Sequence, residues 1–552
     1  MKVIIVGGVA GGASAAARLR RLDERAEIVL VERGPYISFA NCGLPYYIGG
    51  VISSEEELTL NTPESFSGRF NVDVKVNCEV LSLDREKKTL RIRDVMNSLE
   101  YEECWDRLIL SPGAQPLRPN LPGLDSKKVF TMRDIPDTLA IKEYIERNSV
   151  TKAVVIGGGY IGVEMAENLC RAGCGVTIVE LAQHILPPFD FDVAAEIQTH
   201  LREKGVRLIL GKGLEEIIEK DDALTAVLTG GQQIEAELLF LSVGVRPESA
   251  LAKSCGLEVT SRGLIVTDRH MRTQDESIYA VGDAVQVEHF VTGEPGFLPL
   301  AGPANKQGRI AADNICGLNS EYAGTQGTSI LKCFDMTAGC TGINERTAKA
   351  MGIDYRVSFT WSSSHAGYYP GGDFMSIKLV YAPEDGRLLG AQLAGREGVD
   401  KRLDVLATAL RAGMTTKDLT GLELAYAPPF SSAKDPVNIS GFTAENARSG
   451  LVKIIHWHEA RALAPEKITW LDVHEKYETS RGMVMSGAIN IPLDTLREHM
   501  GEISREKPVY VNCHSGMRSY IACRILMQKG FDCYNLAGGW RLFSLCTREL
   551  KE

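Results

Sequence analysis

The feature that most constrains the fold of this chain is a pattern that occurs twice, about 150 residues apart. In the first copy, a β-branched run leads into GGVAGG at residues 7–12 and an alanine-rich helix, and a second apolar run ends at Glu32. In the second copy, an apolar run leads into GGGYIG at residues 157–162, a helix, and a run that ends at Glu180. This order is typical of a βαβ unit in which amides at a helix N-terminus bind a pyrophosphate and the acid binds ribose hydroxyls. The repeat therefore predicts an α/β chain that binds two nucleotides.

The two glycine loops are not identical. The second loop contains the full GxGxxG motif at Gly157, Gly159 and Gly162, whereas Val9 stands where the first loop would have its middle glycine. An ordinary tight turn is therefore the alternative interpretation of the first loop alone.

Two further segments indicate which nucleotide each loop binds. LILSPGA at residues 108–114 and IYAVGDA at residues 278–284 resemble the connecting and closing motifs of two-dinucleotide flavoproteins. A strand that leads into Gly282 and Asp283 places a carboxylate where it can accept a hydrogen bond from a ribityl hydroxyl of a flavin. A solvated turn aspartate is the alternative. We therefore expect a split FAD unit with an NAD unit inserted into it.

The composition weighs against several classes of partner. A net charge of −10 gives no general attraction to nucleic acid or anionic lipid. No uninterrupted apolar run reaches the roughly 20 residues that span a bilayer, and the first residues lack the pattern of a signal peptide. The 13 cysteines are odd in number and include no zinc-type CxxC pair, so we expect reduced thiols and no metal. These features favour a cytoplasmic protein without nucleic-acid or membrane partners.

The first cysteine with a distinctive setting is Cys42, in SFANCGLPYYIGG at residues 38–50. Flavoprotein reductases with a dithiol space their cysteines as C-x4-C, but position 47 is Tyr47. A lone thiolate can still attack a sulfur–sulfur bond if the substrate supplies the partner sulfur, because a mixed disulfide then forms. We expect a helix N-terminus and a nearby flavin to favour the thiolate of Cys42.

The second distinctive cysteine is Cys513, in a loop between a strand and a helix expected at about residues 520–529. Amides at a helix N-terminus stabilise a thiolate or a persulfide. The loop has C-x4-R spacing, one residue shorter than the C-x5-R loop of cysteine phosphatases, and resembles the rhodanese loop that holds a sulfane sulfur. Its members are Cys513, His514, Ser515, Gly516, Met517 and Arg518. His474 replaces an arginine common in rhodaneses, which leaves the sulfur donor open.

Over nearly its whole length the sequence resembles a coenzyme A-disulfide reductase fused to a rhodanese domain, a group that includes NADH-dependent coenzyme A persulfide and polysulfide reductases. The specific segments are SFANCGLPYYIGG, GGGYIGVEMAENL and LAYAPPFSSAKDPVN. The resemblance implies an α/β fold with two Rossmann-like dinucleotide-binding domains, an α+β dimerisation domain and a C-terminal α/β rhodanese domain. It predicts an FAD domain at residues 1–112 and 246–326, an NAD(P)H domain at 113–245, a dimerisation domain at 327–446 and a rhodanese domain at 447–552.

The resemblance also implies roles for individual residues. Cys42 would be the redox thiol, and Tyr368 and Tyr426 would reach the active site from the opposite subunit of a homodimer, where a phenol can protonate a departing sulfur. Tyr160 would cover the flavin until the nicotinamide displaces it. Glu180 favours NADH over NADPH, because a carboxylate binds a 2′-hydroxyl and repels a 2′-phosphate.

The predicted ligand contacts form three sets. For FAD they are Gly7, Gly8, Ala10, Gly11, Gly12, Glu32, Arg33, Val80, Asp283 and Ala301. For NAD they are Gly157, Gly159, Tyr160, Ile161, Gly162, Glu164, Glu180 and Gly244. For coenzyme A, as bound substrate or mixed-disulfide partner, they are Ser14, Arg18, Arg21, Ser38, Asn41, Asn305 and Lys434.

The predicted activity is reduction of the sulfur–sulfur bond of coenzyme A persulfide, polysulfide or coenzyme A disulfide by NAD(P)H, with Cys513 carrying sulfane sulfur. One alternative is an NADH oxidase or peroxidase that cycles Cys42 through a sulfenic acid, although such peroxidases carry a histidine in the first glycine loop, where this chain has Ala10. Further alternatives are a sulfurtransferase whose flavin half only resets it, and a flavin-based redox sensor.

Overall fold

The computed structural model describes residues 1–220 and 223–552. The chain forms two compact units, one made of Met1–Gln183 and Val206–Gly327 and the other of His184–Gly205 and Thr328–Glu552. Residues of the predicted NAD(P)H domain are therefore found in both units, and the four domain boundaries stay predictions. In the part of the chain that is described, no helix is long and apolar enough to cross a membrane.

The first unit contains a five-stranded parallel sheet built around the strand that precedes the first glycine loop. Its strand order is Ile278–Ala280, Arg107–Leu110, Lys2–Val6, Glu27–Val31 and Asp73–Lys75. The strand of IYAVGDA thus joins the sheet beside the strand of LILSPGA, as expected for a unit that closes late in the sequence. The helices Ala10–Leu22 and Ala301–Ile315 pack so closely that a Cβ atom on Gly308 would lie 2.2 Å from the Gly11 carbonyl oxygen. Glycine at position 308 permits this approach.

A second five-stranded parallel sheet repeats this arrangement around the second glycine loop. Its strand order is Arg207–Leu210, Gly175–Glu180, Lys152–Ile156, Leu238–Leu241 and Val129–Phe130. The strands Lys152–Ile156 and Gly175–Glu180 pair in parallel, and the helix Tyr160–Arg171 connects them. The predicted repeat of a βαβ unit is confirmed.

The remaining elements of the first unit are short and peripheral to these sheets. Two three-stranded antiparallel sheets comprise Cys78–Asp84, Thr89–Asp94 and Leu99–Cys104, and Leu214–Lys220, Ala223–Leu228 and Gln232–Ala236. Two-stranded pairs are Ala114–Pro116 with Val245–Pro247 and Val287–Glu288 with Pro295–Gly296. The other helices are Leu44–Ile48, Pro63–Phe70, Ile135–Asn148 and Ala250–Ser254.

The second unit contains one antiparallel and one parallel sheet, each of five strands. The antiparallel order is Ser329–Cys333, Met336–Gly342, Leu388–Gly395, Phe374–Tyr381 and Arg356–Ser363. The parallel order is Lys453–Ile455, Cys533–Leu536, Val509–Asn512, Thr469–Asp472 and Ile489–Asn490. The helices are Phe191–Glu203, Glu345–Ala350, Val399–Arg411, Thr416–Gly421, Pro436–Arg448, Trp457–Arg461, Lys476–Thr479, Leu496–His499, Met517–Met527 and Gly539–Glu549.

The helix after Cys513 begins earlier than predicted. We expected it at about residues 520–529, but it spans Met517–Met527. The reason is Gly516, whose φ of +97° lets the loop turn directly into the helix. Arg518 therefore lies on the first helical turn and not in an extended loop.

Buried polar contacts join the parts of the second unit. The indole nitrogen of Trp361 donates to the Gly538 carbonyl at 3.1 Å. On the last helix, the buried carboxylate of Glu549 accepts from Gln198 Nε2 at 2.9 Å and from Thr199 Oγ1 at 2.7 Å. Because buried polar groups are costly when unpaired, these bonds fix how the two sheets of this unit and the helix Phe191–Glu203 pack.

Candidate functional site

The first glycine loop forms a tight cradle before the helix Ala10–Leu22. Gly7 has a φ of +99°, and a Cβ atom on Gly12 would lie 1.8 Å from the Gly7 carbonyl oxygen, so both positions require glycine. The middle position differs, because Val9 has a φ of −97°, which any residue adopts. The departure from GxGxxG at Val9 is therefore compatible with this backbone.

The two acids at the strand ends occupy matching positions. Glu32 accepts the backbone N–H of Gly8 at 2.8 Å. At the second glycine loop, Glu180 accepts the backbone N–H of Gly158 at 2.7 Å. Each carboxylate thus lies beside its glycine loop, where ribose hydroxyls of a nucleotide would be held.

Asp283 has the surroundings expected of a group that receives a ligand. It follows the strand Ile278–Ala280 directly after Gly282, whose φ is +81°. Its carboxylate forms no hydrogen bond within residues 1–220 and 223–552, and burial raises its pKa. A hydroxyl donor would satisfy this carboxylate, so the residues present fit an FAD ribityl chain.

The other predicted FAD contacts lie on elements of the same unit. Arg33 forms an ion pair with Glu248 at 3.0 Å. Val80 lies on the strand Cys78–Asp84, and Ala301 is the first residue of the helix Ala301–Ile315. These positions stay predictions as FAD contacts.

The second glycine loop has space where a pyrophosphate would approach. Gly157 has a φ of +105°, and a Cβ atom on Gly162 would lie 1.9 Å from the Gly157 carbonyl oxygen. A Cβ atom on Gly159 would meet nothing within 4 Å, which leaves room for a ligand. Tyr160 begins the helix that also carries Ile161 and Glu164, and Gly244 has a φ of +109°. These features fit a second dinucleotide.

Cys42 lies in the helical turn Asn41–Gly43, which continues into the helix Leu44–Ile48. The thiol is free and the residue is solvent-exposed. Surrounding atoms nevertheless displace part of its hydration, and this effect, followed by the charges of Glu164 and Asp283, raises the pKa of Cys42. The protein residues by themselves therefore disfavour the thiolate. The expected effect of a nearby flavin on Cys42 stays a prediction.

A hydrogen bond connects the segment after Cys42 with the helix of the second glycine loop. The hydroxyl of Tyr46 donates to Glu164 Oε1 at 3.3 Å. Burial raises the pKa of Glu164 to about 7, and the bond from Tyr46 opposes this shift. Our sequence analysis did not select Tyr46, although its position four residues after Cys42 in a helical segment indicated a shared face.

The predicted coenzyme A contacts of the first unit lie largely on two packed helices. Ser14 Oγ and Asn305 Oδ1 are 2.5 Å apart. Arg18 Nε donates to Asp313 Oδ1 at 2.6 Å. Arg21 is exposed on the same helix as Arg18. The buried residue Asp313 was not predicted from the sequence. An acidic residue in a helix does not by itself indicate that it pairs with an arginine on a distant helix.

The other predicted coenzyme A contacts lie elsewhere. Ser38 has a φ of +46° and accepts the side-chain amide of Asn61 at 3.2 Å. Asn41 is exposed in the turn that holds Cys42. Lys434 is exposed in the second unit.

Tyr368 and Tyr426 come together in the second unit. Their hydroxyl oxygens are 2.9 Å apart, although the residues are 58 positions apart in the sequence. Both side chains are exposed, at 76% and 48%. The hydrogen bond to Tyr426 raises the pKa of Tyr368. Exposed tyrosines held as a pair can serve a ligand, whereas core tyrosines cannot.

The loop at Cys513 is closed around its sulfur. Cys513 is 1% exposed, and its Sγ accepts the Gly516 backbone N–H at 3.2 Å and the Ser519 hydroxyl at 3.3 Å. The loop backbone is tied to the next glycine turn, since the N–H of Trp540 donates to the Cys513 carbonyl at 2.8 Å. Gly539 is required there, because a Cβ atom would lie 2.4 Å from that carbonyl oxygen.

Two residues outside the loop complete this region. Glu478 accepts both terminal guanidinium nitrogens of Arg518, at 2.6 and 2.8 Å. His474, which is fully buried, bonds through Nδ1 to Asp472 at 2.8 Å. The imidazoles of His474 and His514 have their centroids 6.3 Å apart. Sequence analysis identified His474 as a departure but did not select Glu478, which lies 40 positions before its partner.

Three family models match this chain. The pyridine nucleotide-disulphide oxidoreductase model matches residues 1–308. The dimerisation domain of the same family matches residues 328–436. The rhodanese-like domain matches residues 457–546.

Known proteins are similar to this chain over 79% or more of its length. The reduced CoADR-RHD of Bacillus anthracis is 47% identical, with a TM-score of 0.97 over 99% of this chain and 98% of that one. The NAD-dependent persulfide reductase from A. fulgidus is 38% identical, with a TM-score of 0.93 over 98% of this chain and 100% of that one. The NAD(P)H coenzyme A polysulfide/persulfide reductase of Pyrococcus horikoshii is 38% identical over 440 residues, which are 79% of this chain and 96% of that protein.

Proposed function

Because this chain belongs to the pyridine nucleotide-disulphide oxidoreductase family, whose members depend on FAD and NAD(P)H, we propose that it reduces the sulfur–sulfur bond of coenzyme A persulfide, polysulfide or coenzyme A disulfide. The observation that carries this proposal is the exposed single thiol of Cys42 beside Glu164 and Asp283, with Tyr47 at the position of a second cysteine. A site with one thiol needs its second sulfur from the substrate. The names of the relatives support the same substrate class.

The reaction at Cys42 is a thiol–disulfide exchange. The Cys42 thiolate attacks one sulfur of the substrate, a Cys42–sulfur bond forms, the substrate's sulfur–sulfur bond breaks, and the electron pair leaves with the released thiolate or sulfide. When bound, NAD(P)H and FAD would supply the two electrons that cleave the mixed disulfide, which restores the Cys42 thiolate and releases the substrate's second sulfur as a thiolate. The hydrogen-bonded pair of Tyr368 and Tyr426 is suited to protonate the leaving sulfur.

Coenzyme A is assigned to the surface of the helices Ala10–Leu22 and Ala301–Ile315. Arg18 and Arg21 would bind its phosphates by charge-assisted hydrogen bonds, and Ser14 and Asn305 lie side by side on the two helices. Lys434, Tyr368 and Tyr426 would be contributed by the partner subunit of a homodimer. The match to the dimerisation domain supports that assembly.

NADH is the expected nucleotide, with NADPH as the alternative. Glu180 lies next to the second glycine loop and would repel a 2′-phosphate. Cys513 would carry sulfane sulfur as a persulfide, stabilised by the donors from Gly516 and Ser519. We further propose a cytoplasmic location, in keeping with the free cysteines.

The alternatives account for fewer of these features. A peroxidase has no use for a sulfur-carrying loop at Cys513, and Ala10 stands where such peroxidases carry a histidine. If the protein were a sulfurtransferase whose flavin half only resets it, the exposed thiol of Cys42 would have no explanation.

The test is anaerobic NADH oxidation by the wild-type protein, Cys42→Ser and Cys513→Ser. Coenzyme A persulfide, polysulfide, coenzyme A disulfide and peroxide are compared, and released sulfide is quantified. We expect the sulfur substrates to exceed peroxide and Cys42→Ser to abolish their reduction. Faster turnover of peroxide, or full activity of Cys42→Ser, would refute the proposed function.

A further inference from the structure

The reductase activity does not identify the molecule that donates sulfur to Cys513. The hydrogen bonds made by Arg518 limit which donors the loop can accept. Arg518 is the one arginine of the loop. Both of its terminal nitrogens are bonded to Glu478, Nη1 to Oε2 at 2.6 Å and Nη2 to Oε1 at 2.8 Å. This bidentate geometry occupies the terminal edge of the guanidinium, one of the edges through which an arginine binds an oxyanion.

Glu478 is held firmly in this position. Its side chain is only 12% exposed, and its Oε2 also accepts the backbone N–H of Glu475 at 2.9 Å. The hydrogen bonds from Arg518 lower the pKa of Glu478 to about 2. The carboxylate is therefore ionised at any physiological pH, and the pair carries no net charge.

The other basic residues near His514 also contact neighbouring side chains. His474 is fully buried and bonds to Asp472. The guanidinium of Arg541 lies 4.0 Å from the centroid of the Trp361 ring and 5.4 Å from that of Phe374. Near His514, Arg518 therefore pairs with Glu478, and Arg541 stacks on two aromatic rings.

The hydrogen-bond donors of the loop point to the sulfur of Cys513. The Gly516 N–H and the Ser519 hydroxyl both bond to Sγ. Such donors stabilise a thiolate or a persulfide, but they are not left over for the three oxygens of a sulfonate group. With Arg518 paired to Glu478, a leaving sulfite would not meet a free terminal edge of the loop arginine.

We propose that Glu478 determines the sulfur donor of Cys513: by occupying Arg518 it excludes thiosulfate and restricts the loop to persulfides of thiols. In the accepted reaction, the Cys513 thiolate attacks the terminal sulfur of RS–SH. A Cys513–sulfur bond forms, the RS–S bond breaks, and its electron pair leaves with the thiolate RS⁻. With thiosulfate the leaving group would be sulfite, whose charge and oxygens require the arginine that Glu478 holds.

The test measures thiocyanate formed from cyanide by the full-length protein, with coenzyme A persulfide or thiosulfate as donor. The variants are wild type, Glu478→Gln, and the control Glu475→Gln, which removes the same charge from the same helix start without touching Arg518; Cys513→Ser gives the blank. We expect wild type and Glu475→Gln to prefer the persulfide. Glu478→Gln is expected to raise kcat/KM for thiosulfate by about tenfold, mainly through KM, because Arg518 gains one charge-assisted bond to the anion.

Three results would overturn this inference. Wild type that uses thiosulfate as well as the persulfide would show that the Arg518 pair excludes nothing. Glu478→Gln that gains no thiosulfate activity while keeping persulfide transfer would remove Glu478 as the determinant. Loss of transfer from both donors in Glu478→Gln, with NADH-dependent reduction unchanged, would show that Glu478 supports the loop and does not select its donor.

The inference rests on the proposed role of Cys513 as a sulfur carrier, and the failures are distinguishable. If wild type transfers sulfur from neither donor while NADH-dependent reduction through Cys42 persists, the carrier role and the donor selection are both wrong. The reductase function would then stand.

Discussion

The surroundings of Cys42 and Cys513 differ in what the chain itself provides. Cys513 is buried, and its sulfur accepts two hydrogen bonds from its own loop. Cys42 is solvent-exposed, yet partial desolvation, followed by the charges of Glu164 and Asp283, raises its pKa. A loop at a helix start can stabilise a sulfur anion by itself, whereas we propose that the Cys42 region becomes reactive once its cofactor and substrate are bound. On this proposal, one cysteine is preorganised by the fold and the other is activated by its ligands.

The largest expected effect separates the two cysteines. Cys42→Ser should reduce NADH-dependent reduction of coenzyme A disulfide by about 10³-fold or more, because the nucleophile is lost. Cys513→Ser should leave this reaction within about twofold, since a disulfide contains no sulfane sulfur to carry. Steady-state NADH oxidation under anaerobic conditions measures both. A similar loss in the two variants would mean that the two regions do not function separately.

A smaller effect tests the preorganisation of Cys513. Ser519→Ala removes the hydroxyl that donates to Sγ at 3.3 Å, and sulfur transfer to cyanide should fall about tenfold, which corresponds to about 1.4 kcal/mol. Ser515→Ala is the matched control, because Ser515 lies in the same loop but donates no hydrogen bond to the sulfur. Equal losses in the two variants would contradict the role of Ser519.

Removal of FAD should change the reactivity of Cys42. Without FAD, the pH midpoint of Cys42 alkylation should rise by about one unit, because only the effects that raise its pKa remain. Mass spectrometry of alkylated peptides from holoprotein and apoprotein across pH 6 to 10 gives this midpoint. An unchanged midpoint at Cys42 would contradict the comparison.

The smallest effect concerns Glu164. Its pKa is about 7, so its charge raises the pKa of Cys42 only above about pH 7, where the carboxylate is ionised. Glu164→Gln should lower the alkylation midpoint of Cys42 by a few tenths of a unit and leave the rate below pH 6 unchanged. Glu143→Gln, which removes an exposed carboxylate from another helix, serves as the control. An equal shift in both variants would exclude a specific effect of Glu164.

The sequence predicted the fold well where local patterns repeat. The two βαβ units, the late closing strand Ile278–Ala280 and the strand before Cys513 all follow from apolar runs and glycine spacing. The prediction was less accurate at the start of the helix after Cys513. A glycine at position 516 permits a positive φ but does not require it, so the residue type alone did not show where the helix begins. The sequence did not identify the charges that act on the Cys42 thiol, because Glu164 and Asp283 are more than 100 positions away in the sequence.

By itself, the sequence predicted two nucleotide-binding units and a rhodanese loop, because glycine spacing, strand-end acids and cysteine loops are local features. The flavin and the dimerisation domain followed from the resemblance to a known family. Only the tertiary structure decided which side chains meet: Tyr46 with Glu164, Tyr368 with Tyr426, and Glu478 with Arg518. The physical reason is that hydrogen bonds and charges act through space over a few ångströms. Partners separated by tens of residues become visible only once the chain has folded.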